Sequence, residues 1–181
     1  MGNKQAFLDK YADAITIACE GTKIFPSVKI AQAALETGWG THFVGNNMFG
    51  IKAQGDPTPY WHGEKVADGT TEVLNGQTVH ITSDFRKYAT VSDSIRDHNL
   101  LLEKKNYARV LAATTPEDQC RALQACNYAT ATNYANSLIS VINANNLKQY
   151  DKKKNIMKWI EITAAALLVL FGGYLIYKNS K

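Results

Sequence analysis

The sequence predicts an α+β fold: a mainly helical body, one β-hairpin lobe, and a C-terminal transmembrane helix. Three observations predict it. Apolar residues recur at helical spacing on both sides of one β-prone stretch. The pair Asn75-Gly76 divides that stretch into two strands. A long uncharged apolar run follows a lysine cluster near the end of the chain.

The elements follow in order. Residues 5–19 space Phe7, Leu8, Tyr11, Ala12, Ile15 and Ala18 as one apolar helix face, and Gly21 stops it. Pro26 opens a second helix, where a missing N–H costs nothing. That helix runs to Glu36 and ends at Gly38 and Gly40, so Glu36 sits at a helix C-terminus. Residues 41–69 lack periodicity and read as loop. Residues 70–74 and 77–82 read as a hairpin around the Asn-Gly turn, with a further short strand at 85–88. Ser92 reads as the cap of a helix carrying Ile95, Leu100, Leu101 and Leu102. A short helix follows at 106–113. Thr115-Pro116-Glu117-Asp118 reads as cap, first-turn proline and first-turn acids of a helix reaching Cys126. A last helix, about 133–145, carries Tyr134, Leu138, Val141 and Ile142.

The tail reads as a separate unit. Residues 162–177 hold no charge, and as a helix they span ~24 Å, slightly short of a bilayer core. Extending the span to 159–178 brings Trp159 and Lys178 to the interfaces. The expected organisation is therefore a domain over 1–150, a basic juxtamembrane linker over 151–158 and a membrane span over 159–178. A buried core helix is the competing reading of the same run. The start of the chain shows no secretory signal, and Ala6 stands where myristoylation wants Ser or Thr. The expected location is a bacterial or phage-infected bacterial inner membrane, held by the single C-terminal span.

Charge supports that division. Of a net +4, six lysines against Asp151 and Glu161 fall in residues 151–181, which leaves fourteen charges of each sign in residues 1–150. A neutral domain argues against nucleic acid as a partner. The three cysteines, Cys19, Cys120 and Cys126, show no paired spacing and read as structural. No metal-ligand cluster and no cofactor motif is present, so neither a metal nor a cofactor is expected.

Glu36 has the attributes of a general acid. A carboxyl at a helix end beside a cleft loses water, and the negative end of the helix dipole disfavours its anion, so its pKa rises. An ordinary surface glutamate at a helix end would look the same on these grounds alone.

The surrounding residues add to this. The segment Ala33-Ala34-Leu35-Glu36-Thr37-Gly38-Trp39-Gly40 resembles the signature of peptidoglycan N-acetylglucosaminidases of glycoside hydrolase family 73, the flagellar-rod and autolysin types. Five further segments match in the same order across residues 5–146. They are Asn46 to Lys52, Trp61 with Gly63, Thr70-Thr71-Glu72, Phe85-Arg86-Lys87-Tyr88 with Ser94, Asp97, His98 and Leu101, and Tyr128-Ala129-Thr130 with Tyr134-Ala135. Two departures stand out: Ala131-Thr132-Asn133 replaces an aspartate–proline pair, and His98 stands where the family has tyrosine.

The resemblance implies a lysozyme-like fold with a glycan groove between the helical lobe and the hairpin. It implies Glu36 as general acid and Glu72, on the hairpin, as the second carboxylate, unless the substrate's own acetamido group assists. Tyr128 is implied as the residue orienting a water or that acetamido group, with a buried core tyrosine as the competing reading. The candidate substrate contacts are Trp39, Asn47, Phe49, Trp61 and Tyr134. Of the three non-tyrosine rings, Phe49 also reads as core, Trp61 as groove wall, and Trp39 as either. Asn47 reads either as a contact to an acetamido group or as a turn support. The implied activity is endo-β-N-acetylglucosaminidase hydrolysis of β-1,4 bonds in peptidoglycan glycan strands, in wall remodelling or phage lysis. A muramidase or lytic transglycosylase, or a non-catalytic membrane-anchored glycan binder, are the alternatives.

Overall fold

The computed structural model of the chain describes residues 3–74 and 77–152, and the side chains of all of these except 70–80. Six α-helices and one two-stranded antiparallel ribbon lie within this part, and residues 148–152 are helical as well. In chain order they are α1 (Lys4–Ala18), α2 (Pro26–Glu36), β1 (Lys65–Leu74), β2 (Gln77–Arg86), α3 (Val91–Leu102), α4 (Ala108–Ala112), α5 (Pro116–Ala125) and α6 (Tyr134–Ala144), with a 3-10 turn at Lys105–Tyr107 before α4.

The core is organised around α2. Every residue from Pro26 to Ala34 is buried, because α1, α5 and α6 all pack against this helix. A helix enclosed on all sides has no solvent face to hold polar residues. Lys29 and Gln32 are therefore carried into the interior along with Ile30, Ala31 and Ala33. Pro26 begins the helix as expected. Three consecutive left-handed residues, Gly38, Trp39 and Gly40, end it. A Cβ at Gly40 would approach the Phe7 ring to 3.1 Å, so glycine serves both the turn and the close packing of α1.

The ribbon is longer than the sequence reading. Pairing runs without a break from Lys65↔Arg86 to Leu74↔Gln77, so residues 65–69 leave the expected loop and 85–86 join β2. Lys-Val-Ala-Asp-Gly has little β propensity of its own; its partners across the ribbon supply the hydrogen bonds. The ribbon base is tied to the helical body by a buried cluster around Asp97 of α3. That carboxylate accepts from Arg86 Nη1, Tyr88 Oη and Thr58 Oγ1, each at 2.6 Å. Arg86 also donates to the Gln54 carbonyl at 2.8 Å and lies 4.1 Å from the Trp61 ring centroid.

Helix α3 starts two residues earlier than Ser92 capping would allow. Thr90 and Asp93 form a reciprocal capping box, each side chain bonded to the other's backbone N–H. Thr115 caps α5 by accepting from the Asp118 N–H, as read from the sequence.

The fold class is corrected in one respect. Among the described residues no helix is long and apolar enough to cross a membrane. The described residues form a lysozyme-like, mainly helical α+β domain, and none of its helices supplies the expected span. That span, 159–178, and most of the linker lie outside the described residues.

Candidate active site

A cleft of about 710 Å³ opens between the helical body and the ribbon. Glu36, at the last position of α2, faces it, together with Asn47, Phe49, Asp68, Tyr107 and Tyr128. Water reaches Glu36 through the cleft mouth, and the residue is exposed there. Protein surrounds the carboxyl on its other sides. The resulting loss of hydration raises its pKa to about 7, against a smaller downward pull from its hydrogen bond with Tyr134.

Two stacked tyrosines flank the acid. Tyr128 and Tyr134 lie 5.7 Å apart, with their planes 21° from parallel. The Tyr134 hydroxyl is bonded to Glu36 and accepts from Gln32 Nε2 at 3.3 Å. With its oxygen engaged by Gln32, the hydroxyl proton is directed at the carboxylate. Burial, and the nearby charge of Glu36, raise the pKa of both phenols. Both therefore stay protonated across the neutral range and act as neutral hydrogen-bonding groups.

The remaining sequence candidates separate into those at the cleft and those away from it. Asn47 lines the cleft, but its amide is committed to backbone. It donates to the Ile51 and Arg86 carbonyls at 2.8 and 3.0 Å and accepts from the Ile51 N–H at 3.0 Å. It holds the turn between two cleft-lining segments. Phe49 is 4% exposed and stacks on His98. Trp61, read as groove wall, is likewise 4% exposed. Its indole donates to the Glu64 carbonyl and its face carries the Arg86 guanidinium, which places it beneath the ribbon base. Trp39 packs edge-on against Phe7 and under the Lys4 ammonium, on the α1 side. Glu72 lies on β1 opposite Val79; its side chain is outside the described ones.

The structure also brings forward residues that the sequence reading passed over. Asp68 and His42 meet across the cleft rim at 3.3 Å. Lys29, Gln32 and Glu36 form a polar stripe at i, i+3 and i+7 on one face of α2. The signal for that stripe was in the sequence, as a lysine and a glutamine at helical spacing from the acid inside an otherwise apolar helix.

Comparison with known proteins agrees with this geometry. Residues 12–147 match the Glucosaminidase family model, described as mannosyl-glycoprotein endo-beta-N-acetylglucosaminidase. Exo-glucosaminidase LytG of Bacillus subtilis is 32% identical over 171 residues, covering 90% of this chain and 58% of that protein. Peptidoglycan hydrolase FlgJ of Salmonella typhimurium is 34% identical over 149 residues, covering 78% of this chain and 46% of that protein. The chain thus spans about half the length of the curated relatives it matches. The crystal structure of a peptidoglycan hydrolase mutant from Sphingomonas sp. A1 superposes with a TM-score of 0.69 at 34% identity, covering 81% of this chain and 97% of that one.

Proposed function

Because the chain belongs to the glucosaminidase family, we propose that it hydrolyses β-1,4 glycosidic bonds of bacterial peptidoglycan as an endo-β-N-acetylglucosaminidase. The observation that carries this reading is Glu36, a carboxyl raised to about 7 that faces the cleft and is flanked by two protonated phenols. A carboxyl with that pKa still holds its proton near neutral pH and can give it to the departing glycosidic oxygen. Bond cleavage leaves an oxocarbenium-like centre at C1, and water adds to it. Assistance on the opposite face comes from the Glu72 carboxylate or from the 2-acetamido oxygen of the substrate. Tyr128, beside the acid, orients that acetamido group or the attacking water.

The similarity to LytG favours one second reading, in which the same chemistry acts from a glycan end. The products separate the two. Internal cleavage of purified sacculi releases muropeptides and oligosaccharides ending in reducing N-acetylglucosamine, and terminal cleavage releases the monosaccharide. A 1,6-anhydro sugar would instead identify a lytic transglycosylase.

A further inference from the structure

A line of titratable groups runs from the core to the cleft. Lys29, in the middle of α2, is fully buried. Its Nζ lies 2.5 Å from His98 Nδ1 on α3 and 4.9 Å from the Phe49 ring centroid. His98 is fully buried too and stacks on Phe49, with centroids 4.1 Å apart and planes 8° from parallel. On its other side, His98 Nε2 lies 2.7 Å from Tyr128 Oη. Tyr128 lines the cleft with Glu36.

The donor inventory sets the direction of this line. An ammonium donates and never accepts, so His98 meets Lys29 with a bare Nδ1. The single proton of a neutral imidazole then sits on Nε2 and is donated to Tyr128. A second ring proton is opposed by burial and by the charge of Lys29, which hold the His98 pKa well below 6.5. With its oxygen already accepting from His98, Tyr128 has its own proton left for the cleft.

We propose that Lys29, acting through His98, is a positioning residue that fixes Tyr128 as a hydrogen-bond donor toward an acceptor oxygen of the bound glycan. The proposal rests on reading the cleft as a glycosidase site. The receiving group has the chemistry of an amide carbonyl, as in a 2-acetamido sugar. Lys29 and His98 touch no substrate themselves; they set the polarity of a side chain that does.

The groups around Lys29 also give the relay a pH limit. Cys19 faces it from the end of α1, His98 from α3 and the Phe49 ring from the loop after α2. Beyond His98, Tyr128 is in turn influenced by Glu36, Tyr134 and Tyr107. Burial is the largest influence on Lys29 and holds its pKa down at about 7. Once Lys29 is neutral, its amine can accept from Nδ1–H. The tautomer then inverts, and Tyr128 turns to donate to His98 instead of to the cleft.

The test is a histidine 15N spectrum of the full chain, read for tautomer. At pH 6 His98 is expected as the Nε2–H form, shifting toward Nδ1–H by pH 8.5. Lys29→Met, which keeps the length of the side chain and removes its donor, loses the bias at pH 6. In turnover of soluble glycan fragments the same variant lowers kcat roughly tenfold, about one hydrogen bond, with KM and Tm little changed. In a Tyr128→Phe background it lowers kcat no further. An Nδ1–H tautomer in the wild type at pH 6, or losses that add in the double variant, would overturn the relay. The wild-type spectra decide this even where the variant folds poorly. A chain with the expected tautomer and no glycosidase activity would sink the functional reading and leave the relay standing.

Discussion

Glu36 owes its chemistry to its position at the end of α2. The helix is buried from Pro26 to Ala34, so its last residue emerges into a cleft with protein behind it. Loss of water, and the helix dipole in the same direction, keep the carboxyl protonated to about pH 7. Two predictions belong at this scale. Activity that needs the proton is full below about pH 7 and falls above it. A pH–rate profile whose alkaline limb sat near pH 5 would mean an ordinary carboxylate and remove desolvation as the cause. Stability follows the same proton. The folded-state pKa lies above the unfolded value, so the neutral carboxyl stabilises fully below pH 4.5, and that contribution is lost as pH rises through about 7. Melting curves of Glu36→Gln beside wild type should show a difference favouring the variant more at pH 8 than at pH 4. An equal difference at both pH values would contradict the assignment.

At the scale of elements, the ribbon is held by its base. Asp97 gathers Arg86, Tyr88 and Thr58 in a buried cluster. Removing one partner of a buried ion pair leaves the other charge without compensation. Asp97→Ala should therefore cost about 3–5 kcal/mol of unfolding free energy in urea titrations. A loss below about 1 kcal/mol would show that the pair is as weak as an exposed one.

Much at this scale was readable from residue order. Pro26, the glycine turn and Thr115-Pro116 mark helix ends through local geometry, and the structure puts the ends there. What escaped depends on distant partners. Residues 65–69 become strand because 82–86 lie opposite. Thr90 displaces Ser92 as cap because Asp93 returns the bond. Trp61 turns from groove wall to buried platform because Arg86, far along the chain, stacks on it. The same holds for the site. The motif drew attention to Glu36, and the structure sets that residue in the cleft wall, whereas the Lys29–His98–Tyr128 line needs α2, α3 and the segment after α5 brought together.

At the scale of the molecule, the described residues join a helical body to a ribbon across a cleft, and they superpose on the Sphingomonas peptidoglycan hydrolase mutant with a TM-score of 0.69. The body supplies Glu36 and the Tyr128 and Tyr134 phenols; the ribbon carries Asp68 and Glu72 on β1. A glycan strand lying in the cleft would meet both parts at once. The most direct test of the account is digestion of purified peptidoglycan sacculi by the full chain and by Glu36→Gln, with mass spectrometry of the released sugars. The account predicts fragments ending in reducing N-acetylglucosamine from the wild type and none from a folded Glu36→Gln chain. The same fragments from Glu36→Gln at an undiminished rate would contradict Glu36 as the acid, and with it the central claim.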